Sequence, residues 1–315
     1  MSDSGQRINY TLRPAKCVER KILRELLSKC ETCIPIHEYR YIGFGSFYFS
    51  DFVLFHNQLN IDKMISIESS ARIDRYNFNK PYQCIEILSG TAMSMLSGKI
   101  AFSEEKKDII WLDYDDAFNQ SMVEDMLVAA GKISAGSFLF TSFNQSLDRD
   151  PDNRLNDLKE RFGDFLPQLD VKDINNETSA QLFYEILDAA IQKTISERNV
   201  AENRNLVART FFFIKYRDGA PMLTIGYYFA EHDEWEKFVN SKVSHFQWFT
   251  INKVPQTIAV PCLTKAEIRE INRFLPGTPP VEIQQKLPYL TLSDIEKYAK
   301  IYKYYPNFLD SQYYV

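Results

Sequence analysis

The stretch His37–Phe52, with the sequence HEYRYIGFGSFYFSDF, limits most strongly what this chain can fold into. A short apolar run at 39–42 leads into Gly43 and Gly45, and apolar side chains at helical spacing start again at about Ser46. This order predicts a strand, a glycine turn and a helix. Glycine suits such a turn because it accepts a positive φ and lets a second backbone or a ligand approach closely. The helix would direct its free N–H groups and its positive dipole end at the turn.

A second strand is predicted at 63–67, and it ends in the acidic residue Glu68. In nucleotide-binding α/β folds, an acidic residue at this position accepts hydrogen bonds from ribose hydroxyl groups. The separation between the turn and Glu68 matches one β–α–β unit. We therefore expect Glu68 to face the loop that carries Gly43 and Gly45, as the nucleoside half of a Rossmann-like site.

Apolar runs and helical patterns continue to alternate after this unit, which predicts a largely parallel sheet. The sequence RDGAP then separates two aromatic, β-branched runs, and Asp-Gly between such runs is a strong hairpin signal. The predicted fold is therefore α/β, with a Rossmann-like, mostly parallel sheet that ends in an antiparallel hairpin. The further strands are expected near 83–88, 109–112 and 137–143, and the hairpin strands near 211–216 and 222–229.

Five consecutive strands are followed by short polar sets, and ligands of open α/β sheets bind at the carboxyl ends of the strands. The coincidence of five such sets is stronger evidence for a binding site than any single motif. The sets are Gly43/Gly45, Glu68/Ser69, Ser89/Gly90, Asp113/Asp115 and Ser142/Asn144.

Three regions are expected along the chain. They are an N-terminal helical segment at 1–35, a Rossmann-like domain at 36–250 with a helical insertion at about 147–204, and a small helical appendage at 251–315. In the appendage, Thr264 and Ser293 are the predicted N-caps of two helices, and Glu267 completes a capping box with Thr264.

The N-terminal helix begins with two cations, Arg13 and Lys16. Their side chains could reach an anionic group near the site. The sequence favours the alternative interpretation, in which both are solvated at the start of the helix. Cys30 and Cys33 form a C-x-x-C at the end of this helix. No second pair lies at metal-ligand spacing, so no metal site is predicted.

Charge and composition restrict the partners. A net charge of −5 argues against nucleic-acid binding through the overall field, although a local basic groove stays open as an alternative. No apolar run approaches the ~20 residues needed to span a bilayer, so no membrane partner is expected. Five scattered cysteines and no export signal favour reduced thiols and a cytoplasmic location.

Over residues 36–230 the chain resembles class I S-adenosylmethionine-dependent methyltransferases. More narrowly, the segments RPAK, YRYIGFGSFYFSDF, ISIES, FNKPY and IIWLDYDD are similar to a group of bacterial O-methyltransferase-like proteins. The resemblance implies S-adenosylmethionine as cofactor and assigns roles to matching positions. The turn residues Gly43, Gly45 and Ser46 would close over the methionine part, Glu68 and Ser69 would hold the ribose, Ser89 and Gly90 would contact the adenine, and Asp113, Tyr114 and Asp115 would face the methyl group and substrate.

Two positions depart from the family's pattern. Tyr41 stands two residues before the first motif glycine, where an acidic residue is usual, and Phe47 replaces the third small residue of the turn. We expect Asp113 to face the pocket. Asp115 should not point the same way as Asp113, and Asp115 or Asp116 should serve mainly to cap the helix that follows.

Three functional hypotheses follow. The first is a methyltransferase that transfers a methyl group to oxygen or nitrogen of an unidentified acceptor. The second is a non-catalytic methyltransferase-like partner or sensor that acts through protein contacts, which Phe47 favours. The third, a nicotinamide or other nucleotide enzyme, ranks last because the full G-x-G-x-x-G is missing.

Overall fold

The computed structural model describes residues 13–168 and 174–306, so the predicted segments 1–35 and 251–315 lie partly outside them. The strands are β1 Arg40–Gly43, β2 Lys63–Glu68, β3 Ile85–Ser89, β4 Asp108–Ala117, β5 Phe138–Asn144, β6 Leu206–Asp218, β7 Ala220–Glu231 and β8 Gln256–Thr257. The helices are α1 Pro14–Cys30, α2 Ser50–Leu59, α3 Ile73–Asn79, α4 Ala92–Ser94, α5 Gln120–Lys132, α6 Pro151–Phe162, α7 Ser179–Glu202, α8 His232–Val239, α9 Lys265–Asn272, α10 Pro280–Lys286 and α11 Leu292–Ile301. None of these helices is long and apolar enough to cross a membrane.

The eight strands form one sheet in the order β3-β2-β1-β4-β5-β7-β6-β8. The first five run parallel to one another, and β7 is antiparallel to both β5 and β6. The order 3-2-1-4-5 of the parallel part is the Rossmann order. The predicted α/β fold with a mostly parallel sheet and an antiparallel hairpin is thus confirmed, and the short strand β8 lies parallel to β6 outside the hairpin.

The hairpin is longer than its two predicted strands. Asp218 pairs with Ala220, so Gly219 alone makes the turn, and its φ of +89° suits only glycine without strain. Pairing then continues as far as Leu206 with Glu231. Most residues along both strands are buried, which explains the long aromatic and β-branched runs in the sequence.

Each face of the sheet is covered by helices. One core contains buried side chains of β1, β2, α5 and α7, among them Ile42, Ile65, Met126 and Leu187. The core on the opposite face contains α1, α2 and side chains of the hairpin. The N-terminal helix is therefore part of the main core. A third, smaller cluster joins α9, α10 and α11.

Two predicted helix starts were wrong. Helix α2 begins at Ser50 and not near Ser46, because Ser46 and Phe49 have positive φ values of 49° and 47°. Helix α11 is capped by Thr291, whose side chain accepts from the N–H of Asp294, and not by Ser293. The predicted capping box of α9 is confirmed.

Strand β4 does not stop at residue 112 but runs to Ala117. Asp113 pairs with Ser142 and Ala117 with Asn144, so residues 114–116 oppose a single residue of β5. Such a bulge turns the strand end and alters the direction of its side chains. The cap of α5 is Asn119, whose side chain accepts from the N–H of Met122. The expectation that Asp115 or Asp116 caps this helix is therefore wrong.

Gly226, in the middle of β7, lets two aromatic side chains pack closely against the strand. A Cβ atom there would lie 2.4 Å from the ring of Phe140 and 3.0 Å from the Cβ of Phe212. We predict that Gly226→Ala lowers the free energy of unfolding by about 1–3 kcal/mol, because the overpacked core must shift. Urea denaturation measures the change.

Gly98→Ala is the matched control, since nothing lies within 4 Å of a Cβ at Gly98. We expect this variant to keep or slightly raise the stability. Equal losses in the two variants would contradict the packing argument.

Candidate functional site

The acidic residue at the end of β2 and the glycine turn after β1 meet at the carboxyl edge of the sheet. The Gly45 N–H donates to Glu68 Oε1 at 2.9 Å and to Ser66 Oγ at 3.0 Å. The Ser66 hydroxyl in turn donates to the same Glu68 oxygen at 2.6 Å. The expectation that Glu68 faces the loop with Gly45 agrees with this contact.

Glu68 is only 5% exposed. Burial raises the pKa of its carboxyl group to about 7, although the hydrogen bonds from Ser66, Gly45 and Tyr76 favour the charged form. Ser66 was missed in the sequence. The available signal was a polar residue inside an apolar strand two positions before Glu68, hence on the same face.

The two glycines of the turn are required by packing within the chain. A Cβ at Gly43 would lie 2.6 Å from the Tyr41 hydroxyl, and one at Gly45 would lie 2.5 Å from the ring of Phe49. The Tyr41 hydroxyl donates to the buried carboxylate of Asp51 in the first turn of α2. The carboxylate of Asp51 is thus held beside the turn by Tyr41, the residue that stands where the family's pattern has an acidic side chain.

Phe47, the bulky turn residue, packs inside the structure. Its ring lies 4.6 Å from the ring of Tyr76, and the Arg75 guanidinium lies 3.9 Å from the Phe47 centroid. Phe47 is 8% exposed. Within the turn, Gly45, Phe47 and Phe49 are thus buried, whereas Ser46 is half-buried and Tyr48 is exposed.

The polar residues after β3 lie directly beside Glu68. Ser89 is its partner in the sheet register, and the Gly90 N–H donates to the Glu68 main-chain carbonyl at 3.0 Å. Gly90 has a φ of +155°. Ser69, which follows Glu68, is exposed, and Ser46 has its hydroxyl 3.4 Å from the Tyr48 N–H.

Lys16 and Asp113 form a second cluster at the same edge. The Lys16 ammonium group donates to Asp113 Oδ1 at 2.6 Å and lies 2.7 Å from Glu19 Oε2. It also donates to the Tyr216 hydroxyl at 3.2 Å and lies 4.6 Å from the centre of the Trp111 ring. Lys16 is 3% exposed. The reading of this residue as part of a solvated helix start is therefore wrong.

Glu19, which is fully buried, extends this cluster into the sheet. Its Oε1 accepts from the hydroxyls of Thr224 and Ser142, on β7 and β5. Burial raises the pKa of Glu19, and the neighbouring Lys16 opposes that rise. Glu19 could not be singled out from the sequence, since its partners are distant in the chain.

Asp218 fixes the start of α1. Its carboxylate accepts from the main-chain N–H groups of Ala15 at 3.0 Å and Lys16 at 2.7 Å. A carboxylate at this position satisfies free N–H groups and complements the helix dipole. The first turn of α1 is therefore held against the end of β6.

Asp113 and Asp115 lie on one face of β4, and Tyr114 lies on the other. Arg13 contacts Asp115 at 3.4 Å, so Asp113 and Asp115 both face the start of α1. The expectation that they point in different directions was wrong, because residues two apart on a strand share a face. Tyr114 lies on the opposite face, where its hydroxyl donates to Asp125 of α5 at 2.7 Å.

Metal ligands do not cluster in the described parts of the chain. Within residues 13–168 and 174–306, no group of three or more His, Cys, Asp or Glu side chains is placed to hold a metal ion.

The sheet order and the glycine turn at the carboxyl edge define a Rossmann-like α/β protein. Residues 8–313, almost the whole chain, match the model of a family described as "Putative O-methyltransferase". The chain therefore belongs to this family, and the methyltransferase resemblance seen in the sequence is confirmed. A comparison with curated proteins finds no match.

Solved structures give weaker likenesses. A S-adenosylmethionine-dependent methyltransferase from Aquifex aeolicus is 12% identical, with 66% of this chain and 87% of that chain covered, at a TM-score of 0.35. The O-methyltransferase TomG from Streptomyces achromogenes, solved with S-adenosylmethionine, is 13% identical, with 65% and 78% covered, at a TM-score of 0.33. A fibrillarin from Methanococcus jannaschii is 11% identical, with 61% and 67% covered, at a TM-score of 0.35.

The buried position of the Lys16 charge can be tested by measuring the stability of a variant that lacks it. We predict that Lys16→Met lowers the free energy of unfolding by about 3–5 kcal/mol, because Glu19 is left buried without its cation. Lys29→Met, which removes the half-exposed partner of Glu25 on the same helix, should cost only about 0–1 kcal/mol. Urea denaturation compares the two, and similar losses would argue against a buried cluster.

The raised pKa of Glu68 predicts that the free energy of unfolding depends on pH. Below about pH 4.5 the carboxyl group is neutral in both states. Between pH 4.5 and about 7 only the unfolded chain ionises, so stability falls as pH rises. Glu68→Gln keeps an acceptor oxygen and should exceed the wild type in stability at pH 8 by on the order of 3 kcal/mol.

Unfolding in urea at pH 4.5 and pH 8 measures this difference. Glu86→Gln, at an exposed glutamate on the adjacent strand β3, is the matched control and should show little change. A gain for Glu68→Gln of the same size at both pH values would contradict the linkage.

Proposed function

We propose that this protein transfers the methyl group of S-adenosylmethionine to an acceptor, and that the carboxyl edge around Glu68 and Gly45 holds the nucleoside part of that cofactor. The family match over residues 8–313 supports methyl transfer. The observation that carries the site is the 2.9 Å hydrogen bond from the Gly45 N–H to Glu68 Oε1, because it joins the glycine turn to the acidic residue.

The residues at this edge fit a ribose in donor and acceptor type. A carboxylate at a strand end accepts hydroxyl hydrogen bonds, and the neighbouring N–H of Gly45 can donate. The donors now on Glu68, from Gly45, Ser66 and Tyr76, take the part that ribose hydroxyls would play. Ser69 follows Glu68 on the proposed ribose side of the site, Ser89 and Gly90 form the proposed base side, and Gly43 and Ser46 complete the turn.

When bound, the cofactor supplies an electrophilic methyl group, and the protein mainly has to position the acceptor. We assign that positioning to Asp113, whose side chain is partly exposed and which directly precedes the bulge in β4. The Lys16 ammonium group, which donates to Asp113 Oδ1 at 2.6 Å, holds this side chain in place. Asp115 and Arg13 form the next pair outward on the same face, whereas Tyr114 supports α5 from the other face.

A second function is favoured by one observation. Asp113 is already paired with the buried Lys16, and Glu68 already accepts hydrogen bonds from Gly45 and Ser66. A chain whose site groups are satisfied internally suits a non-catalytic methyltransferase-like partner that acts through protein contacts. Either function is compatible with the cytoplasmic setting, which we keep as a proposal because all five cysteines are free thiols.

Calorimetric titration with S-adenosylmethionine tests the proposal. We predict saturable binding by the wild type. Glu68→Ala should weaken it by about tenfold or more, since hydrogen bonds to a charged acceptor are lost. Glu86→Ala serves as the matched surface control and should leave the affinity unchanged.

The melting temperature of Glu68→Ala has to be measured alongside, and Glu68→Gln is the substitute if the alanine variant does not fold. Unchanged affinity in a folded Glu68 variant would move the cofactor site elsewhere. A wild type that does not bind the cofactor would favour the non-catalytic function.

A further inference from the structure

A cavity of about 1140 Å³ opens beside the start of α1, at the ends of β5 and β6. Its main walls are the loop after β5, the hairpin end, the segment 257–262 and helix α11 with Tyr305, and the starts of α1, α6 and α7 also line it. Ligand pockets for small molecules are typically about 300–1,000 Å³. The cavity is thus large enough for a whole acceptor molecule.

The lining is positively charged in a protein whose net charge is −5. Five cationic side chains face two carboxylates, Asp148 and Asp218; the cations are Arg149, Arg154, Lys215, Arg217 and Lys297. Asp218 is already used by the N–H groups of α1. Arg154 donates to the main-chain carbonyls of Asp148 and Ile174, so its charge is not neutralised by those contacts. The cavity therefore favours an anion.

Gln145 adds a second, independent signal. It lines the cavity and is only 8% exposed, yet its Oε1 has no hydrogen-bond partner in the described structure. Buried polar atoms are almost always paired, so an unpaired one requires an explanation. A hydrogen-bond donor on a bound molecule would satisfy this oxygen.

One side chain links the cavity to Asp113 of β4. Tyr216 lines the cavity, and its hydroxyl accepts from Lys16, which holds Asp113. From these contacts we propose that the cavity is the methyl-acceptor site and that it takes a small anionic acceptor, carrying a carboxylate or phosphate and a hydrogen-bond donor. This inference rests on the proposed methyltransferase function and names its substrate class.

The proposal also gives the C-terminal segment a role. Residues 257–262 pack along β6, where the Ile258 N–H donates to the Lys215 carbonyl at 2.9 Å. The Tyr305 hydroxyl donates to the Pro261 carbonyl at 2.9 Å. The C-terminal helices thereby hold one wall of the cavity in place.

Binding of two probe anions to the full chain tests the proposal. Sulfate has no hydrogen-bond donor, whereas glycerol 3-phosphate has two hydroxyl donors. Calorimetry should show saturable binding of both, with the tighter binding for glycerol 3-phosphate. The double variant Lys215→Gln/Arg217→Gln should lose about tenfold or more in affinity for both anions. Gln145→Leu should weaken glycerol 3-phosphate and leave sulfate unchanged.

Lys99→Gln is the matched control, because Lys99 is an exposed cation outside the cavity lining. It should bind both anions like the wild type. If Gln145→Leu does not fold, the result for Lys215→Gln/Arg217→Gln is sufficient to test the proposal. Anion binding that is absent, or that the double variant retains, overturns the proposal. A single-stranded oligonucleotide that binds while both small anions fail would identify a nucleic-acid surface instead.

All variants are also titrated with S-adenosylmethionine, whose affinity should stay within a few-fold of the wild type. Cofactor binding with no anion binding would refute the acceptor site alone. Failure of the wild type to bind the cofactor would refute the proposed function, whatever the anions do.

Discussion

The buried ammonium group of Lys16 determines how the carboxyl edge of the sheet is arranged. Its charge is shared between Asp113 on β4 and Glu19 one turn further along α1, and Glu19 reaches Thr224 on β7. Removing charges from water is costly, so such a cluster is stable only when each member keeps its partners. The first turn of α1 is thereby fixed over the point where the parallel and antiparallel parts of the sheet meet. The Arg13–Asp115 pair and the capping of α1 by Asp218 depend on this placement.

Most of the fold could be predicted because its signals are local. Each buried parallel strand is a short apolar run, and one β–α–β unit fixes the distance between Gly45 and Glu68, so this half of the site was within reach of the sequence. The other half was not. Glu19 and Thr224 are 205 residues apart in the chain. The bulge in β4 has no sequence signature of its own. For this reason neither the end of the strand nor the cap at Asn119 could be predicted. Lys16 looked like a solvated cation since its partners come from strands that follow much later.

The two parts of the proposed site have opposite electrostatic character. Around Glu68 the groups are buried and hydrogen-bonded to one another, and burial is the main cause that raises the carboxyl pKa to about 7. A ligand that enters there has to replace existing hydrogen bonds. The cavity at the hairpin end instead contains exposed and half-buried cations and an unpaired amide oxygen, with which a ligand can form new interactions. The net charge of the whole chain conceals this difference, because a sum over 315 residues says nothing about where the charges lie.

The position of β7 between β5 and β6 has a consequence for biosynthesis. A ribosome that has made residues up to 205 has produced every parallel strand of the Rossmann order, but the outer edge of β5 has no partner until β7 is complete at Glu231. Unpaired strand edges with apolar side chains are templates for association with other chains. The nascent protein therefore exposes an aggregation-prone edge of β5 until β7 has been synthesised. A chain truncated before the hairpin would keep this edge unpaired. The hairpin thus also protects the edge of β5 against aggregation.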